Sequence, residues 1–151
     1  MKKIYFKIPD IGNLHLHKIL LQIDDPPLLF VCTDSNGKYY LGECIDSYEY
    51  PYEYLLVSTT IDILIKMLTN KMTMYEAFKK SPESIAYKIK NTEKVKQDIV
   101  SSLPLNNVAD EDLPLKGAFF EIDTDYIQKY ILELCGYKIH YSTELLTETL
   151  Y

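Results

Sequence analysis

Long apolar runs are absent from this chain. No stretch approaches the ~18–20 consecutive apolar residues that a membrane-spanning helix needs. The start, MKKIYFKIPDIG, carries two lysines but no apolar core before Pro9 and Asp10, so it does not read as a secretory signal. A cytoplasmic location follows as the expectation. Cysteine is scarce: Cys32, Cys44 and Cys135 are odd in number and widely spaced, which fits reduced thiols and not a disulfide framework. Tryptophan is missing altogether. So are the signatures of nucleotide-binding loops, nucleophile elbows and zinc proteases: there is no G-x-G-x-x-G, P-loop, G-x-S-x-G or H-E-x-x-H. Net positive charge is lacking too. At a formal net charge of -6 the surface repels phosphate backbones, which argues against general nucleic-acid binding and suits a basic partner.

What is present is enough to fold. Of 151 residues, 47% are hydrophobic, which supplies a packed core and excludes global disorder. The length suits one core domain over 1–122, with a C-terminal helix and short strand, 123–151, packed on it. The clearest local signal is PLLFVCTDSNGKYYLGECID at 27–46. Two apolar runs flank Asn36-Gly37, the pair that supplies the positive φ of a tight turn, so this is a β-hairpin. A two-residue loop sets Cys32 opposite Leu41. A bulge at Gly37 shifts the register by one, and the two cysteines then share a face about 13 Å apart, at roughly 3.3 Å per residue. Neither register allows a disulfide.

Residues 3–8 and 13–24 read as strands before the hairpin, the second ended by Asp25-Pro26-Pro27. Residues 53–58 make a fifth. Strands in quick succession imply an antiparallel meander. The period then changes. Thr59-Thr60 caps a helix whose apolar positions include Ile61, Leu64, Ile65 and Leu68, with Asn70 at its stop. Thr73-Met74-Tyr75-Glu76 is a capping box that opens a second helix and buries Ala77 and Phe78. Residues 84–100 alternate as two paired strands, with a helix over 93–102 as the alternative. The stretch 103–117, with two Leu-Pro pairs, reads as loop, and 118–122 as a short apolar run. Asp123 then caps an amphipathic helix with Tyr126, Ile127, Tyr130, Ile131 and Leu134 on one face and Gly136 at its end. Lys138 to Ser142 has the pattern of a last strand.

Few residues carry chemistry. His15 and His17 stand two apart on a strand, so both imidazoles face one way, but two ligands do not make a metal site; a polar strand face is the plainer reading. Cys32 and Cys44 sit inside apolar strands, where thiols are inert. No cofactor is expected. The aromatic content says more: 14 tyrosines, with Tyr48, Tyr50, Tyr52 and Tyr54 alternating with acids around Pro51. Tyrosine suits contact surfaces because it combines apolar area with a hydroxyl at low entropy cost. Such rings also stack a nucleobase, with Lys38 or Lys88 meeting its phosphate.

The segments IPDIGNL (8–14), PLLFVC…DSNGKYYL (27–41), EYLLVSTTIDIL (53–64), KMTMYEAFK (71–79) and the Leu113-Pro114 loop carry a resemblance. Over residues 8–122 the chain resembles a family of small uncharacterised bacterial and phage-borne domains of unknown function. The resemblance implies a bacterial or phage setting and transfers no active site, and 123–151 look like an addition to it. The expected fold is α+β, an antiparallel sheet packed against two or three helices. The expected function is non-enzymatic binding: an immunity-type inhibitor, or a phage counter-defence protein that captures a host protein or a signalling nucleotide. The alternatives are a small hydrolase using His15 and His17, and a homo-oligomeric scaffold.

Overall fold

The computed structural model describes residues 4–23, 26–46, 51–92 and 97–136. Seven strands form one sheet in the order of the chain: β1 (Ile4–Ile8), β2 (Gly12–Leu21), β3 (Leu29–Thr33), β4 (Tyr39–Asp46), β5 (Glu53–Thr59), β6 (Ile85–Thr92) and β7 (Gln97–Pro104). Every neighbouring pair is antiparallel. Three helices, α1 (Ile61–Leu68), α2 (Met74–Lys79) and α3 (Asp125–Leu134), cover one face. The fold is α+β, and the expected meander is complete.

The other face is concave. Phe6 on β1 and Tyr54 on β5 bring their ring centroids within 5.3 Å. Four strand spacings of ~4.8 Å would hold those strands about 19 Å apart on a flat sheet. The sheet therefore curls into a near-barrel around Phe6, Phe30, Tyr54, Leu56 and Ile89, all 5% exposed or less. Register irregularities at 4–6, 16–18, 19–21 and 44–46 provide the bends. Phe30 lies over its register partner Gly42, where a Cβ would meet the ring at 2.5 and 2.6 Å. The convex face carries Leu29, Val31, Leu41, Leu55 and Val57 against the helices.

The hairpin takes the bulged register. Cys32 pairs with Tyr40, not Leu41, and Gly37 has φ 82°. Asp34 decides this: its Oδ1 accepts from the amides of Asn36 and Lys38, both at 2.9 Å, which closes the loop one residue wider than Asn36-Gly37 alone. All three cysteines are free thiols. The second strand is Gly12–Leu21, shorter than 13–24 at its far end. Ile85–Thr92 and Gln97–Pro104 are paired strands, so the helical alternative fails over 97–102; pairing with β6 outweighs the weak helical period there, and 93–96 lie outside the described residues.

Caps fix the helices. Thr60 Oγ1 accepts from the Ile63 amide at 3.2 Å, and the Thr73/Glu76 capping box forms as the sequence requires. Asn70 takes φ 60° at the α1 stop and Gly136 φ 92° at that of α3. Two details differ from the sequence reading. α1 buries Ile63, Leu64, Met67 and Leu68, while Ile61 is exposed, because the inward face lies away from the exposed Asp62–Lys66 ion pair. Thr124, not Asp123, is the N-cap of α3, with Oγ1 3.3 Å from the Ile127 amide; Asp123 instead holds the Gln128 side chain. Residues 105–122 form a strap with two 3-10 turns that plugs Leu105, Val108, Leu113 and Phe120 into the convex core. The apolar run 118–122 is not a strand: Ala118 O accepts from the Met74 amide, and the Glu121 amide donates to Asn70 Oδ1. The strand expected at Lys138 to Ser142 lies outside the described residues. Among the described residues no helix is long and apolar enough to cross a membrane.

Gly42→Ala tests the curl. Phe30 is fully buried and cannot yield, so overpacking should cost about 1–3 kcal/mol, read as a lower urea midpoint at unchanged slope.

Candidate functional site

The irregularity at 16–18 of β2 gives His17 and Lys18, adjacent in sequence, a common side. Both reach α3. His17 Nδ1 and the Tyr130 hydroxyl share a hydrogen bond of 2.9 Å, and the imidazole stands edge-on to Tyr39 at 5.4 Å. Glu133 Oε2 is 3.9 Å from His17 Nε2. Lys18 Nζ lies 5.1 Å from the Tyr126 ring and 5.2 Å from that of Tyr130. Burial holds the Tyr130 hydroxyl well above its ordinary pKa, so it stays a neutral partner. His17 is thus a docking residue for α3. His15 lies in register with Thr33, and among the described residues no group of three His, Cys, Asp or Glu side chains could hold a metal ion.

Lys88 rises from β6 beneath the strap. Its Nζ donates to Asp112 Oδ2 at 2.9 Å, and this bond, more than the nearby Glu53 and Glu111, raises its pKa. Two strands away in register, through Leu55, stands Glu43. Burial, then the charge of Asp112, pushes its carboxyl up to about 8, and its Oε1 is buried without a hydrogen-bond partner. Sequence reasoning missed Glu43. The signal was there: an acid at a position that alternates with Leu41 on a strand buried on both faces.

The tyrosines divide. Tyr48 and Tyr50 lie outside the described residues. Tyr54 is 5% exposed on the concave side, its hydroxyl pushed far up by burial, and Tyr52 packs partly buried beside it. Tyr54 is core, because β5 is central in the sheet and its inward positions fill the barrel. At the opposite end Lys38 Nζ lies 5.6 Å from the Tyr40 ring and pairs with Glu83. Lys38 and Lys88 thus stand at different places, the first over Tyr40 and the second under Asp112. Cys32 and Cys44 are pushed up by burial to about 12 and about 11, which keeps them as thiols at neutral pH.

Glu43 sets a pH dependence. It binds a proton more tightly folded than unfolded, so its contribution is fully present below pH 4.5 and is lost as pH rises towards 8. Glu43→Gln should flatten that slope and gain on the order of 2 kcal/mol over the parent at pH 9 relative to pH 5, in paired urea melts. Tyr130→Phe, which removes the bond to His17, should cost about 1 kcal/mol with the fold intact by circular dichroism.

The comparisons with known proteins follow this geometry without naming a chemistry. No curated protein and no solved structure matches the chain. A family model matches residues 2–144, a span that takes in α3, so the C-terminal helix is part of the family pattern and not an addition to it. The chain belongs to this family, a family of unknown function (DUF6575).

Proposed function

We propose that this chain is a non-enzymatic binding protein that covers a basic surface on a partner protein. The observation that carries this reading is the state of the two lysines suited to a phosphate. Lys38 is paired with Glu83, and Lys88 with Asp112. A nucleotide would have to displace a carboxylate from either one, against a net charge of -6. A basic protein surface meets no such cost and gains a faster encounter. The potential nucleophiles support the same reading, since the thiol of Cys32 is buried, that of Cys44 half-buried, both are uncharged at neutral pH, and His17 is engaged by Tyr130. An immunity-type inhibitor that occludes a toxin, or a counter-defence protein that captures a host protein, works in this way.

Native mass spectrometry of gently purified protein tests this. The expected heterologous complex is with a basic protein chain. A retained nucleotide would overturn the choice of partner. A turnover activity lost in His15→Ala/His17→Ala, with the fold preserved, would overturn binding in favour of a hydrolase.

A further inference from the structure

The strap that covers the convex face is tied at both ends by hydrogen bonds to its neighbours. The Leu105 amide donates to Ser84 O, the Met74 amide to Ala118 O, and the Glu121 amide to Asn70 Oδ1. Between those ties Val108 and Leu113 plug the core, and the Tyr75 hydroxyl donates to Asp110. Among the described residues one ion pair joins the strap to the sheet. It is Lys88 with Asp112, at 2.9 Å, the side chains 30% and 25% exposed.

Glu43 lies in the same row of the sheet. Leu29 and Leu55 are its register partners, and Lys88 is the next partner of Leu55, so all four share the convex face. At ~4.8 Å per strand, the Cα atoms of Glu43 and Lys88 are about 10 Å apart, a gap that the two side chains can close by reaching over Leu55. Glu43 Oε1 is cut off from water and has no hydrogen-bond partner. The other charges around this row are Glu53 on β5, which faces Lys90 in register, and Glu111 and Asp112 on the strap. A buried carboxyl without a partner is stable only with its proton on. Once ionised it needs a cation, and Lys88 is the one in its row. Taking Lys88 leaves Asp112 unpaired beside a second carboxylate.

We propose that Glu43, Lys88 and Asp112 form a proton-operated latch on the strap. With Glu43 protonated, Lys88 holds Asp112 and the strap lies closed. When Glu43 gives its proton to solvent, its carboxylate draws the Lys88 ammonium across Leu55 and Asp112 is released. The middle of the strap, 106–117, then lifts more often from the convex core while its ends stay tied, and the seats of Val108 and Leu113 open to solvent. The hold is full in acid, weakens as pH climbs towards about 8, the point to which burial and Asp112 raise Glu43, and is gone above it. The latch is independent of the partner the protein binds.

Hydrogen exchange of the full chain, read by mass spectrometry from about pH 5 to about pH 9 and corrected for the intrinsic base-catalysed rate, tests this. The expected result is exchange over 106–117 that rises at least about fivefold up to about pH 8 and then levels off. That rise should persist unchanged in mild urea, as a local opening does, whereas exchange of β4 should grow with urea. Glu43→Gln, which stays neutral, should keep the slow acid rate throughout. Asp112→Asn should give fast strap exchange already at about pH 5. An NMR titration of the isotope-labelled Glu43 carboxyl should show its proton leaving over the range in which the strap loosens. Strap exchange that rises equally in Glu43→Gln, or stays flat while the Glu43 carboxyl titrates, overturns the latch. Slow strap exchange in Asp112→Asn overturns the tie to Lys88. A rise that follows urea as that of β4 does is global loss of stability and overturns the local opening.

Discussion

The fold depends on the Phe30 ring resting against Gly42. The missing Cβ lets a full aromatic ring sit against the β4 backbone, and Phe6 and Tyr54 then meet that ring at centroid distances of 6.0 and 5.8 Å. With this cluster in place β1 folds across to β5 and the sheet curls. A curled sheet has a small inner volume that side chains fill and a large convex surface that needs cover. Helices α1 to α3 and the strap 105–122 provide that cover, with their inward residues in a single cluster.

Because both faces are buried, the strands of the centre read as continuous apolar runs and lose their alternation. That explains which parts of the fold were legible. The turns, caps and stops of the chain are local chemistry: Asn36-Gly37, the Thr73/Glu76 box and Gly136 act within a few residues, and all appear where the sequence places them. The strand order followed from strands in close succession. The hairpin register did not, since Asp34 competes with Asn36-Gly37 for the turn. The inward face of α1 was legible only through its polar pair: Asp62 and Lys66, one turn apart, mark the outer side, which turns Ile63, Leu64, Met67 and Leu68 inward and leaves Ile61 exposed.

The candidate site was less legible, because electrostatic roles arise from pairs distant in sequence. Lys38 and Glu83 are 45 residues apart, and Lys88 and Asp112 are 24 apart. A lysine that looks available for phosphate in the sequence is neutralised by an acid that the fold delivers. His17 is similar: its partner Tyr130 is 113 residues away and becomes a neighbour only when α3 docks over the β2 irregularity. Glu43 shows the reverse case, a charge-bearing group whose carboxyl is pushed up to about 8 by burial and by the charge of Asp112, far away in sequence.

The unbroken order from β1 to β7 has a kinetic meaning. Each strand pairs with one that is next in the chain, so most pairing contacts close short loops, and the sheet can zip outward from the 27–46 hairpin at little entropic cost. The barrel interior differs. Phe6 and Tyr54 are far apart in sequence, and their contact waits for the meander to assemble. Folding is therefore ordered by geometry, with zipping first and curling last. The β1 strand is the element whose loss would leave a formed but open sheet, with its aromatic interior turned to water.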